Sequence, residues 1–205
     1  QQGLTPPPVD HALCQHLLGQ MDEARKNCSQ VIALRRKLGL SGERAQSQVN
    51  HAWVLFDLGR LEEALTEATE ALATKRHLED LSYVPPCQNL IGEIELAIGR
   101  TERAREAFGE VLRDFPDAVK EIVNAAVGMA QVERLAGDLQ AVRNRFDEVL
   151  EGLATCTDAT TRFEALEHII RFELECETGH EGLQRISRPY LEDESATSLP
   201  LARLA

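Results

Sequence analysis

One phrase recurs along the chain at nearly constant spacing, and it limits the possible folds more than any other feature. It reads Leu18-Gly19-Gln20-Met21-Asp22-Glu23-Ala24, then Leu58-Gly59-Arg60-Leu61-Glu62-Glu63-Ala64, then Ile98-Gly99-Arg100-Thr101-Glu102-Arg103-Ala104. A weaker copy is Ala136-Gly137-Asp138-Leu139-Gln140-Ala141-Val142, and a degenerate one is Thr178-Gly179-His180-Glu181-Gly182-Leu183. The central glycines, Gly19, Gly59, Gly99, Gly137 and Gly179, are 40, 40, 38 and 42 residues apart. A sustained period of this size marks a repeat architecture, in which each unit buries its apolar face against the next.

Each phrase lies between two segments of helical periodicity. Before Gly59, the residues Val49, Ala52, Trp53, Leu55, Phe56 and Leu58 recur at steps of three and four; after it come Leu61, Ala64, Leu65, Ala68, Ala71 and Leu72. Glycine suits the junction, because the residue just past a helix end commonly turns left-handed. Glu62, Glu63 and Glu102 place negative charge on the first turn of the following helix, where its dipole favours it. With no alternating strand pattern, the chain reads as all-α: about five antiparallel helical hairpins stacked into a solenoid.

Corresponding positions carry the packing. Seven residues before the turn glycines stand Ala12, Ala52, Gly92, Ala130 and Phe172; five residues after them stand Ala24, Ala64, Ala104, Val142 and Gln184. Small side chains at paired positions let helix backbones approach. Further on come the pairs Val31-Ile32, Ala71-Leu72, Val111-Leu112 and Val149-Leu150, expected to face both their own hairpin and the next in one continuous core.

Breakers set the boundaries. Residues 1–8, with Pro6-Pro7-Pro8, read as a lead-in, residues 9–192 as the helical array, and residues 193–205 as a tail or linker. Gly39-Leu40-Ser41-Gly42, Leu81 to Pro86, Phe115-Pro116-Asp117 and Thr155 to Thr160 punctuate the hairpins. Gln184 and Arg188 would give the last unit a polar, capping face, and a sixth hairpin in a longer parent chain stays open as the alternative. The chain begins without Met, and the expectation is a piece of a longer parent protein.

These hairpins resemble tetratricopeptide repeats. Repeat two supplies Ala52, Gly59, Ala64 and Ala71, and repeat three supplies Gly92, Gly99, Ala104, Phe108 and Pro116. The spacing departs from the commonest form, which has about 34 residues per repeat, and most of the usual first-helix aromatics are missing. Longer periods resemble the arrays of bacterial regulators and kinesin light chains. The resemblance implies a right-handed superhelix whose first helices line an inner groove. It places Val9, Leu13, His16 and Leu17 there from repeat one, and Gln46, Val49, Trp53, Phe56 and Asp57 from repeat two. Repeat three adds Asn89, Glu93 and Leu96; repeat four Asn124, Val127, Gln131 and Arg134; repeat five Leu166, Ile169 and Glu173.

The candidate partner-binding residues are thus Trp53, Phe56, Asp57, Asn89, Glu93, Asn124, Gln131 and Arg134. Aromatics supply anchoring area, and the amides of Asn89 and Asn124 can hold an extended peptide backbone. A competing reading puts Trp53 and Phe56 in the hairpin core and makes the Asn incidental. Members of the family that clamp a C-terminal carboxylate carry Lys, Asn and Arg at early groove positions, where this chain has Val9, Leu13, Val49 and Trp53. No such clamp is expected.

Charge and composition narrow the function. With 34 acidic against 22 basic residues the net charge is −12, which disfavours nucleic acid and favours a neutral or basic partner. The densest basic run, Arg35-Arg36-Lys37, suits a helix C-terminus. No segment is apolar enough for a membrane span, and a cytoplasmic location is expected. Five cysteines without a Cys-x-x-Cys spacing suit reduced, buried thiols, and neither a metal nor a cofactor is expected. Cys176 and His180 would not share a helix face. No phosphate loop, nucleophile elbow or His-Glu-x-x-His motif is present. The expectation is a non-enzymatic protein- or peptide-binding scaffold, the interaction or regulatory module of a larger protein. Two alternatives stay open: a sensor arm for a small molecule or signalling peptide, and a module for self-association into a homo-oligomer.

Overall fold

The computed structural model describes residues 19–154, 156, 157 and 159–175. Among these residues there are eight α-helices and no strand: α1 Met21–Lys37, α2 Ser41–Asp57, α3 Leu61–His77, α4 Val84–Ile98, α5 Thr101–Asp114, α6 Val119–Leu135, α7 Leu139–Leu153 and α8 Ala159–Glu175, with a 3-10 turn at Leu81–Tyr83 before α4. Consecutive helices pack on one another, and α2 also touches α4, α4 touches α6, and α6 touches α8. The first helices of successive hairpins therefore form one layer and the second helices another. The turn at Gly179, the polar cap of Gln184 and Arg188, and the segments 1–8 and 193–205 lie outside the described residues, as do Val9, Leu13, His16, Leu17, Cys14, Cys176 and His180.

The turn glycines do what the repeat requires. At Gly59, φ is +71°; Gly59 N–H donates to the Phe56 carbonyl at 2.9 Å, and Arg60 N–H donates to the Leu55 carbonyl at 2.8 Å. This paired closure is the Schellman motif, which occupies carbonyls the helix end would otherwise strand. The same pair of bonds closes α4 at Gly99 and α6 at Gly137. It also closes α1 at Gly39 and α3 at Glu79, so the joints between hairpins use the device too. Asp138 adds a side-chain cap to α7, accepting from the Ala141 N–H at 2.9 Å. Arg35, Arg36 and Lys37 occupy the last turn of α1, as their charge requires. One boundary differs from expectation: Pro85 and Pro86 sit inside the first turn of α4. Proline is tolerated there because the first N–H groups of a helix have no intrahelical acceptor.

The small positions among the described residues are interior. Ala24, Ala52, Ala64 and Ala104 are fully buried, and Ala130 and Val142 nearly so. Among the described residues the core runs in three clusters in series, with Leu112 touching two of them, where one unbroken core was expected. Each hairpin meets only its neighbours, so segmentation is natural to a solenoid. At the centre, the fully buried Phe108 of α5 lies between Gly92 of α4 and Gly128 of α6. A Cβ on Gly92 would stand 2.6 Å from that ring, and one on Gly128 2.4 Å.

Neighbouring repeats are also tied at the surface. Arg100 reaches Glu62 at 2.7 Å, and Arg76 and Gln88 converge on Glu110. Lys75, almost wholly buried, pairs with Asp80 at 2.9 Å and lies 4.0 Å from the Tyr83 ring centre, fastening the joint between α3 and α4.

Candidate functional site

The layer of first helices lines an open cavity of about 650 Å³. Trp53 and Phe56 come from α2; Pro86, Asn89, Glu93, Leu96 and Ala97 from α4; Lys120, Glu121, Asn124, Val127, Gly128 and Gln131 from α6; Thr160, Ala165 and His168 from α8. The helical period explains the convergence. Asn89, Glu93 and Leu96 follow one another at three- and four-residue steps, as do Asn124, Val127 and Gln131, so each set lies along one face of its helix.

Six of the eight residues singled out from sequence line this cavity: Trp53, Phe56, Asn89, Glu93, Asn124 and Gln131. Asp57 and Arg134 do not; both are exposed in the last turns of α2 and α6. Val49, Leu166 and Ile169, expected to face the groove, are buried in the core clusters, because apolar side chains at the edge of the inner stripe gain more by packing against the second helices. Gln46 is half-buried and outside the lining, and the side chain of Glu173 lies outside the described residues. Lining residues that sequence reasoning missed include Pro86, Lys120, Glu121, Gly128, Thr160, Ala165 and His168. The first four stand three or four residues from Asn89 or Asn124, a signal that periodicity carries. For the three on α8 no such marker exists.

The aromatic pair belongs to the core and to the cavity wall at once. Trp53 and Phe56 pack edge to face, with ring centres 6.0 Å apart, and rest against the core of hairpin α2–α3 while their other sides line the cavity. Asn89 is more committed than expected. Only 3% exposed, it donates both amide hydrogens to α6, to the Glu121 carbonyl at 2.9 Å and the Glu121 Oε2 at 2.8 Å. It therefore ties α4 to α6, and its own Oδ1 is buried without a hydrogen-bond partner. Asn124 and Gln131 are half-buried on the cavity wall.

Elsewhere, the chemistry is that of packing. Cys28, Cys87 and Cys156 are buried; burial pushes the Cys28 and Cys87 thiols up to about 11, so neither is a thiolate at neutral pH. No group of His, Cys, Asp and Glu that could hold a metal occurs among the described residues. No helix among them is long and apolar enough to cross a membrane.

Comparison with known proteins places this arrangement. A family model described as tetratricopeptide repeat matches residues 9–77, and a second with the same description matches residues 90–118. A Rap protein complexed with Competence and Sporulation Factor superposes with a TM-score of 0.69 at 20% identity, over 91% of this chain and 51% of that one, so the chain spans about half its length. The nearly identical repeats of a kinesin light chain from Podosopora anserina give 0.65 at 17% identity, over 88% of this chain and 92% of theirs. BtubC from P. vanneervenii gives 0.63 at 20% identity, over 75% and 67%. No curated protein matches the sequence.

Proposed function

Since the chain is a tetratricopeptide repeat protein, a right-handed solenoid of helical hairpins, we propose that it is a non-enzymatic scaffold that binds an extended peptide segment of a protein partner in the cavity of its inner layer. The observation that carries this reading is the convergence of an edge-to-face aromatic pair and the amides of Asn124 and Gln131 on one cavity, built from four successive first helices. Asn124 and Gln131 stand seven residues apart on α6, about 10 Å, which an extended chain covers in about three residues. Two amides at that spacing can pair with the backbone of one strand while Trp53 and Phe56 take an apolar side chain. The acidic balance of the chain favours a neutral or basic segment.

A regulatory setting within a larger protein fits this reading. The Rap structure is of a complex with Competence and Sporulation Factor, and a cavity of about 650 Å³ also falls within the usual range for small ligands. The second reading is therefore a sensor arm whose occupied cavity is signalled to another domain.

Immobilised pools of random peptides test the first reading. The chain should be retained, and the double substitution Trp53→Ala and Asn124→Ala should abolish retention while far-ultraviolet circular dichroism stays the same. Unchanged retention by the double variant would remove the cavity from the account.

A further inference from the structure

The exposed apolar side chains gather on one edge of the molecule. Because successive helices alternate in direction, the hairpin turns at Gly59, Gly99 and Gly137 share one edge, and the joints between hairpins share the other. Of the seven large apolar side chains exposed among the described residues, five stand at those joints. Leu38 and Leu40 lie between α1 and α2, Leu78 and Leu81 between α3 and α4, and Phe163 in the opening turns of α8. Leu78 reaches across to Gly42, where a Cβ would lie 3.5 Å from its Cδ1, so the two pairs of leucines adjoin. None of the five lines the cavity. Such a row left in water is unfavourable, and apolar patches of this kind mark interaction surfaces.

The charge along this edge selects the occupant. At the α1 end, Arg36 and Lys37 are exposed and Arg35 and Arg44 half-buried, against one acid, Glu43. The middle pairs within itself, Lys75 with Asp80 and Arg113 with Asp114. Towards α8, Asp147, Glu148 and Glu151 are exposed along the second half of α7, with Arg145 and Arg162 half-buried. The last turn of α7 carries no cation, unlike those of α1, α3 and α5, so Glu151 opposes the helix dipole. An acidic peptide would suit the basic end alone and leave Phe163 bare. A second copy turned end for end lays the basic, leucine-bearing end of each protomer on the acidic end of the other, twice over, as a two-fold axis requires. The net charge of −12 does not forbid this, because exposed charges more than about 8 Å apart are largely screened at physiological salt and the local pattern decides. We propose that the chain forms a two-fold dimer through the edge of its inter-hairpin joints, with Lys37 and Leu38 of each protomer set against Glu151 and Phe163 of the other. This inference does not depend on what the cavity holds.

Sedimentation velocity at physiological salt tests the proposal. The mass should rise with concentration from 22.8 kDa to twice that value and stop there. Leu38→Asp, at an exposed position, should weaken dimerisation at least about tenfold while helical content stays the same. Lys37→Glu should weaken it too, and Lys37→Glu combined with Glu151→Lys should restore it. Lys26→Glu, an equal change of net charge at an exposed position in the middle of α1, should leave it unaltered. A 22.8 kDa species at every concentration would overturn the proposal. So would a dimer indifferent to Leu38→Asp, or a double charge variant that associates no better than Lys37→Glu alone. Mass that grows past the dimer would overturn it as well, because an open chain of contacts is not two-fold.

Discussion

The joint around α1, α2 and α3 and the joint around α4, α5 and α6 solve the same stacking problem with opposite materials. In the second, an aromatic ring fills the space that two glycines leave: Phe108 is fully enclosed by Gly92 and Gly128. In the first, polar groups sit at the interface. His51 of α2 approaches Glu67 of α3 at 3.4 Å and Ser29 of α1 at 3.4 Å, Gln48 donates to Glu70 at 2.9 Å, and Arg35 of α1 reaches Ser47 of α2 at 2.5 Å. Two buried oxygens there, Gln48 Oε1 and Glu67 Oε2, make no hydrogen bond. One joint is specified by volume and the other by charge and direction. The repeat period sets where joints fall, and it leaves their composition free.

The largest expected effect breaks the apolar joint. Phe108→Ala should cost about 3–5 kcal/mol, the range for emptying a core aromatic site, read as a loss of denaturant midpoint. Less severe is Gly128→Ala. Helix propensity favours the change by about 1 kcal/mol, but the ring has glycine contact on both sides and no room to slide. Overpacking of about 1–3 kcal/mol should therefore win, and in a Phe108→Leu background the same substitution should become neutral or stabilising, a non-additivity that reports direct contact.

The polar joint should be distinguished by its response to acid. Burial raises the Glu67 carboxyl, but the hydrogen bonds of His51 and Gln48 and the attraction of His51 and Arg36 outweigh it and hold it below its ordinary value of 4.5. A carboxyl depressed on folding binds its proton more readily in the unfolded chain, so its contribution is complete above about pH 4.5 and is lost as pH falls through the lower folded value. Glu67→Gln should make the acid limb of the stability profile shallower, whereas Phe108→Leu should shift that profile without changing its slope.

The smallest effect sharpens a difference between successive joints. The α1 to α2 joint turns on Gly39 at φ +71°, and the α3 to α4 joint turns forty residues later on Glu79 at φ +54°. A left-handed conformation costs a side chain about 1–2 kcal/mol, part of which returns as lost chain entropy when glycine is introduced. Glu79→Gly should raise stability by about 0.5 kcal/mol, and Gly39→Ala should lower it by about 1 kcal/mol.

Much of this was legible beforehand because it depends on period. Gly59, Gly99 and Gly137 announced the hairpin turns, and the alanines at fixed offsets from them proved to be the buried contacts. The cavity was legible to the extent that it follows helix phase, which brings Trp53, Asn89, Asn124 and Gln131 to one side. What escaped depends on details that phase does not encode. Asn89 reads as an open amide until the Glu121 carbonyl is seen beside it, and Glu79 carries no mark of a left-handed turn. His168 enters the lining through the stacking of α8 on α6, a contact no local pattern announces.

The central claim is that the inner cavity, and no other face, holds the ligand. Trp53 is the single tryptophan of the chain and part of the cavity lining, so its emission reports occupancy directly. Titration with a fluorescein-labelled peptide pool should give a saturable change in that emission with the midpoint found by anisotropy of the label, and Asn124→Ala should weaken both together. Binding seen by anisotropy with Trp53 emission unmoved would put the ligand on another surface and contradict the account.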